Sequence, residues 1–219
     1  MGVIDFCASL DNNKSTSIKS GNPMLPVELQ STLNRNGGMV FAAQANKAGI
    51  SNERLRLLVK AGELERVAFG VYALPDRFVD EMFAAQTRCA KIIYSHETAL
   101  FLHDLTDRDP LDYTVTVPTG YNASRLRERG FTVFTIKREL HLLGVTKLTT
   151  LFGHRVVAYD LERTLCDCLR NRNKMDIAVV TDAVKRYVRR SDKNLNVLMR
   201  MAETFCVAKL LRNYMEVLL

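Results

Sequence analysis

The sequence predicts a mixed α/β chain: an N-terminal winged helix-turn-helix domain, then an α+β domain that ends in a helical bundle. Three observations carry this. Gln44 to Leu74, QANKAGISNERLRLLVKAGELERVAFGVYAL, lays out two helices around a glycine and then a strand pair. Tyr113 to Val117, YTVTV, alternates with the β-branched residues of a strand, and from Asp160 onward apolar residues recur at helical spacing. The expected boundaries are a polar, non-periodic and therefore disordered extension over 1–23, a winged domain over 24–76 closed by Pro75 and Asp76, and a second domain over 77–219.

Leu25 to Asn36 reads as a short helix with Val27, Leu29 and Leu33 apolar, closed by Gly37 and Gly38. Ala45 is small where two helices must approach. Gly49, four residues on, supplies the positive φ that the tight turn needs. Ser51 caps the next helix, which buries Leu55, Leu58 and Val59 at i, i+3 and i+4. That stripe turns Ser51, Asn52, Glu53, Arg56, Leu57 and Lys60 outward, on the side that in such a motif enters the major groove. Asn suits adenine edges there and Arg suits guanine edges. Gly62 stops the helix, and Leu64 to Val67 and Val71 to Leu74 form a hairpin through Ala68-Phe69-Gly70, with Arg66 and Phe69 near its tip. The residues expected to contact DNA are Lys47, Ser51, Asn52, Arg54, Arg56, Lys60 and Arg66. The competing interpretation is a helical hairpin and strand pair that serve packing alone.

Composition bounds the rest. A chain of 219 residues, 47% hydrophobic, can build one large or two small cores. No apolar run approaches the roughly 20 residues of a membrane span. No basic segment followed by an apolar one opens the sequence, so a cytoplasmic protein is expected, with no membrane partner. Five cysteines at irregular spacing do not make a disulfide framework, and Cys166 and Cys168 are CxC with no second pair, so no metal site and no cofactor are expected. The net charge of +7 suits a polyanionic partner, but it is unevenly spread. Leu25 to Asp76 has six Lys or Arg against five Asp or Glu, +1; from Arg77 onward it is 23 against 17, +6. The densest part is Arg170 to Lys193. Within it Arg186, Arg189 and Arg190 either lie along phosphates or form a solvated helix face.

The second domain opens with a helix over Asp76 to Thr87 and a strand at Lys91 to Tyr94, after which Ser95 is placed to cap a helix through Leu102. The strand YTVTV ends at Pro118-Thr119-Gly120. A helix around Ser124 to Arg129 leads to a strand at Thr132 to Ile136. Leu148 to Phe152 and Arg155 to Ala158 form a hairpin around Gly153-His154. Four helices follow, Leu161 to Leu169, Met175 to Arg189, Leu195 to Phe205 and Val207 to Leu218.

The order of these segments carries a resemblance. The winged segment, SHETALFLHDL at Ser95 to Leu105, VTVP at Val115 to Pro118, YDLERTLCDCLR at Tyr159 to Arg170 and YMEVLL at Tyr214 to Leu219 together resemble the AbiEi family of antitoxins. The strongest element is an ERTxxD core: Glu162, Arg163, Thr164 and Asp167. The resemblance implies an antitoxin of a bacterial type IV toxin-antitoxin, abortive phage infection system. It further implies a winged domain that represses its own operon at inverted repeats in promoter DNA, and a C-terminal domain that carries antitoxicity. The partner it implies is a nucleotidyltransferase-like toxin, which need not be contacted directly. The extension over 1–23 departs from the family pattern, so translation starts at Met1 or at Met24.

From the residues alone, Glu162, Thr164 and Asp167 sit in the first two turns of a helix, where carboxylates favour the positive end of the dipole. Arg163 would pair with an acid from a neighbouring helix, and the motif either fixes a buried polar junction between the α/β part and the bundle or presents a surface to the toxin system. No catalytic residues are expected. Ser95, His96 and Glu97 are adjacent on a helix and point about 100° apart, which no nucleophile-base-orienter set allows. His96 and His103 share a helix face, but His141 and His154 show no spacing that would complete a metal site. The alternatives are a winged-helix transcription factor with a ligand-sensing or dimerising second domain, and a DNA-binding phage-defence nuclease.

Overall fold

A computed structural model describes residues 25–218, so the expected extension over 1–23 lies outside the described residues. The chain divides into two compact units, the first ending at Arg77 and the second beginning at Phe78. No helix among the described residues is long and apolar enough to cross a membrane.

In the first unit, α1 (Val27–Arg35) buries Leu29 and Leu33. Val27, expected among the apolar contacts, is 73% exposed, because position 27 lies two residues off the Leu29–Leu33 line and so on the opposite side of the helix. Strand β1 (Met39–Phe41) is an addition to the expected elements. Three residues show no period of their own, and it is pairing that makes them a strand. Helices α2 (Ala42–Lys47) and α3 (Asn52–Lys60) flank Gly49, whose φ is +82°. Strands β2 (Glu65–Ala68) and β3 (Val71–Ala73) follow, and the antiparallel sheet runs β1-β3-β2. Ala45, Leu55, Leu58, Leu64 and Tyr72 close one core with Leu29 and Leu33, and each large side chain so buried contributes about 1.5–3 kcal/mol. Val59 is only half-buried.

The second unit is built on a mixed five-stranded sheet in the order β6-β5-β4-β8-β7. Helix α4 (Glu81–Arg88) starts five residues later than expected, because the Asp80 carboxylate accepts from the Phe83 N–H at 2.9 Å and caps it there. Strand β4 (Ile93–Tyr94), α5 (His96–Leu102), β5 (Thr114–Pro118), α6 (Ser124–Arg127) and β6 (Thr132–Ile136) follow near their expected places. A four-residue α7 (Arg138–His141) was not expected, and the hairpin is shifted. Its first strand is β7 (Val145–Thr149) rather than Leu148 to Phe152, and it pairs with β8 (Arg155–Tyr159). Leu151 and Phe152 are left exposed on the turn. Alternation of exposed and half-buried residues begins at Val145, where the threonines hid the pattern.

Four helices complete the chain: α8 (Leu161–Arg170), α9 (Ile177–Arg189), α10 (Leu195–Thr204) and α11 (Ala208–Leu218). Every residue of α8 from Glu162 to Leu169 is buried, and its Leu165, Cys166, Cys168 and Leu169 share one core with Val180, Val184, Leu198, Ala202 and Leu211 of the other three. Gly144 makes the close approach possible. It has φ +73°, its carbonyl accepts from the Asp160 N–H at 2.7 Å, and a Cβ there would meet the Arg163 Cβ at 2.7 Å. Gly144→Ala is therefore expected to destabilise the chain by about 2–4 kcal/mol, from left-handed strain plus overpacking against a side chain that cannot retreat. Gly153→Ala, at φ +83° with nothing within 4 Å, is expected to cost only about 1–2 kcal/mol. Urea unfolding of the full chain measures both, and equal costs would refute the contact.

Candidate functional site

In the first unit the Ser51 hydroxyl accepts from the Arg54 N–H at 3.2 Å, which caps α3. With Leu55 and Leu58 held in the core, Ser51, Asn52, Glu53, Arg56, Leu57 and Lys60 are all exposed, as is Lys47 at the end of α2; Arg54 is half-buried. Arg56 touches Glu53 at 3.3 Å, but the two side chains are 73% and 69% exposed, so the pair is weak and either partner is free to exchange. Arg66 reaches over the Phe69 ring, 5.6 Å from its centroid, and Phe69 stands 81% exposed beside the turn. Helix face and hairpin tip thus present cations, an amide and an aromatic ring.

The ERTxxD residues are gathered inside the second unit. Asp160 accepts from the Arg163 N–H at 2.8 Å and starts α8. The Arg163 side chain is fully buried. Its Nε donates to Asp167 at 2.9 Å, and its Nη1 donates to the carbonyls of Leu140 and Leu143, each at 2.9 Å. The guanidinium carbon lies 4.1 Å from the Tyr159 ring centroid and 4.0 Å from that of Phe205, a cation between two aromatic faces. The acid partner is thus on its own helix, four residues on, and not on a neighbouring helix as expected. Nη2 is buried without a hydrogen-bond partner. Burial raises the Asp167 carboxyl to about 6, against the pull of Arg163 beside it. Glu162 accepts from the Tyr187 hydroxyl at 2.8 Å, and Thr164 donates to the Tyr159 carbonyl at 3.4 Å. All four motif side chains are therefore spent on internal partners that join α7, α8, α9 and the α10–α11 turn.

The basic stretch is more neutralised than its composition suggests. Arg186 makes a bidentate contact to Asp107 and another bond to Asp182 at 2.7 Å, and Arg190 clasps Asp192 through both nitrogens at 2.8 Å. Arg189 is exposed.

Ser95 and His96 meet, although not as neighbours on a regular helix would. His96 has φ +48°, which brings its Nδ1 to 3.0 Å from the Ser95 hydroxyl. Ser95 therefore makes no side-chain cap on α5. The Asn171 amide nitrogen donates both to the Asp167 carbonyl and to His96 Nε2, so Nδ1 carries the proton and donates to Ser95, which also accepts from Thr116 at 2.9 Å. A serine that accepts from histidine is not activated by it. His96 stacks on Phe134 with centroids 3.7 Å apart, and burial, with Arg163 and Lys174 nearby, pushes its imidazole down to about 3. No sequence signal marks Asn171 and Phe134 as its partners, since they come from the end of α8 and from β6.

These two units define a helix-turn-helix-bearing chain with a mixed α/β second unit. Residues 28–75 match the family model described as "Transcriptional regulator, AbiEi antitoxin", a similarity that lies within the first unit. No curated protein matches the chain in sequence. Among solved structures, the RV2827C protein from Mycobacterium tuberculosis is similar, with a TM-score of 0.57 and 14% identity over 87% of this chain and 78% of that one, which makes the likeness one of fold.

The depressed His96 pKa has a clear sign. A histidine lowered in the fold adds stability that is complete above its unfolded value near 6.5 and is lost as pH falls toward 3, at a slope of at most about 1.4 kcal/mol per pH unit. Nitrogen-15 spectra are expected to show His96 as the neutral Nδ1–H form from pH 5 to 8. A midpoint near 6.5 would contradict the buried network.

Proposed function

We propose that the chain is an antitoxin of a type IV toxin-antitoxin system that also represses its own operon. In this proposal the first unit is a winged helix-turn-helix that binds inverted repeats in promoter DNA. Helix α3 lies in the major groove, and the β2–β3 hairpin is the wing. The second unit carries antitoxicity toward a nucleotidyltransferase-like toxin without needing to touch it. The observation that carries the proposal is the outward face of α3 within the very segment that matches the regulator family. Asn52 and Arg56 suit adenine and guanine edges, Lys47, Arg54, Lys60 and Arg66 suit phosphates, and Phe69 gives the wing an apolar tip.

Within the basic stretch, Arg189 is the better phosphate contact. Arg186 and Arg190 would first have to release carboxylates. The slope of log affinity against log salt is expected to flatten by up to about one unit in Arg189→Ala and to stay unchanged in Arg186→Ala, as read by fluorescence anisotropy on promoter DNA. The reverse order would show that the carboxylate pairs open on binding.

The two activities are expected to separate. Losing a guanine contact costs roughly 1–3 kcal/mol of discrimination, so Arg56→Ala should lose promoter repression while still neutralising a co-expressed toxin when supplied from an unrelated promoter. Arg163→Ala strands Asp167 in the core at a cost of about 3–5 kcal/mol, so it should lose neutralisation together with the helical circular dichroism of the second unit. A folded, abundant Arg56→Ala that loses rescue in step with repression would overturn the division of labour.

A further inference from the structure

The second unit holds an uncommitted cationic pocket. Two cavities of about 470 and 390 Å³ share Arg170, Phe205 and Cys206 and so form one groove beside the α10–α11 turn. Lys137 lines one arm, and Arg172 and Lys209 line the other, while no carboxylate lines either. In this unit Arg108, Arg163, Arg186 and Arg190 are each matched to an aspartate, while others, such as the exposed Lys147 and Arg189, are not. Lys137, Arg170, Arg172 and Lys209 form no salt bridge among the described residues.

Two further features shape this place. The first turn of the eleven-residue α11 opens at this place, and its leading N–H groups have no intrahelical acceptors. Cys206 holds φ +58° at the turn, a conformation that costs a non-glycine residue about 1–2 kcal/mol and that sets the start of α11 against Arg170.

The geometry points to a binding site for a small ligand bearing a chain of phosphates, of nucleoside-triphosphate size. Four cations around one groove match a multiply charged phosphate chain better than a single phosphate. The two volumes fall in the range of small-molecule sites. The apolar floor of Ile136, Leu140 and Phe205 offers a base or ribose a place to lie. The proposal does not depend on the DNA-binding face of α3.

Calorimetry of the full chain with ATP, sodium tripolyphosphate and AMP tests it. ATP and tripolyphosphate are expected to bind at one site, at least tenfold more tightly than AMP. Arg170→Ala with Lys209→Ala is expected to weaken both by tenfold or more, and Lys147→Ala, an exposed cation on β7, to change neither. The side chains of Arg170 and Lys209 are exposed, so circular dichroism should be unaltered in the double variant. No heat with ATP or tripolyphosphate at millimolar concentration would overturn the proposal. Equal weakening by Lys147→Ala, which would mark diffuse charge, would do the same. So would a single-stranded oligonucleotide that occupies the groove while ATP fails to displace it, which would assign it to nucleic acid.

Discussion

The guanidinium of Arg163 is the constraint around which the second unit is organised. A buried, permanently charged group is tolerated only when its donors and its charge are answered locally, since the desolvation cost otherwise amounts to several kcal/mol. Asp167 answers the charge, Leu140 and Leu143 offer carbonyls, and Tyr159 and Phe205 sandwich the plane. Each of these has a structural consequence. The carbonyls are available because α7 breaks off at His141 and the chain turns through Gly144. Tyr159 ends β8, and Phe205 closes α10. One side chain thus ties the sheet, at the end of β8, to the helical bundle.

Much of this was legible in the sequence where a local rule acts alone. Gly49, Ser51 and the Leu55–Leu58 spacing specify the turn, the cap and the buried face of α3 without help from distant residues. Elements that exist only through partners were not legible. Met39 to Phe41 is a strand because Val71 to Ala73 lies beside it, and α7 is a single turn whose carbonyls are stabilised by Arg163. The shift of β7 from Leu148 to Val145 has the same origin. Leu151 and Phe152 look like strand residues by composition, yet the pairing of Thr149 with Arg155 leaves them on the turn. The ERTxxD motif was visible as a cluster, but the acid that answers Arg163 could not be chosen by spacing among several candidates.

Charge was the most misleading of the sequence signals. Counting placed most of the excess in the second unit and pointed to Arg186, Arg189 and Arg190. The fold places Asp107, Asp182 and Asp192 against two of the three, and Asp107 comes from far away in the chain. The formal sum is unaltered by such pairing, but the field available to a polyanion is not, because a cation held by carboxylate at 2.5–2.9 Å is largely cancelled a few ångströms away.

The useful quantity is therefore the positive charge left unanswered, and two of the places where it stands differ in shape. On α3, Arg56 and Lys60 stand on an exposed face where the Arg56–Glu53 pair is solvent-screened, so partner groups exchange there at little cost. Around Arg170 the cations line a groove together with Ile136, Leu140 and Phe205, so their pull on an anion acts beside an apolar floor. A convex cationic face suits a long polymer read along its edges, and a concave one suits a ligand that is enclosed. The formal charge of a unit thus says less about the partner it suits than the surroundings in which its unpaired cations stand.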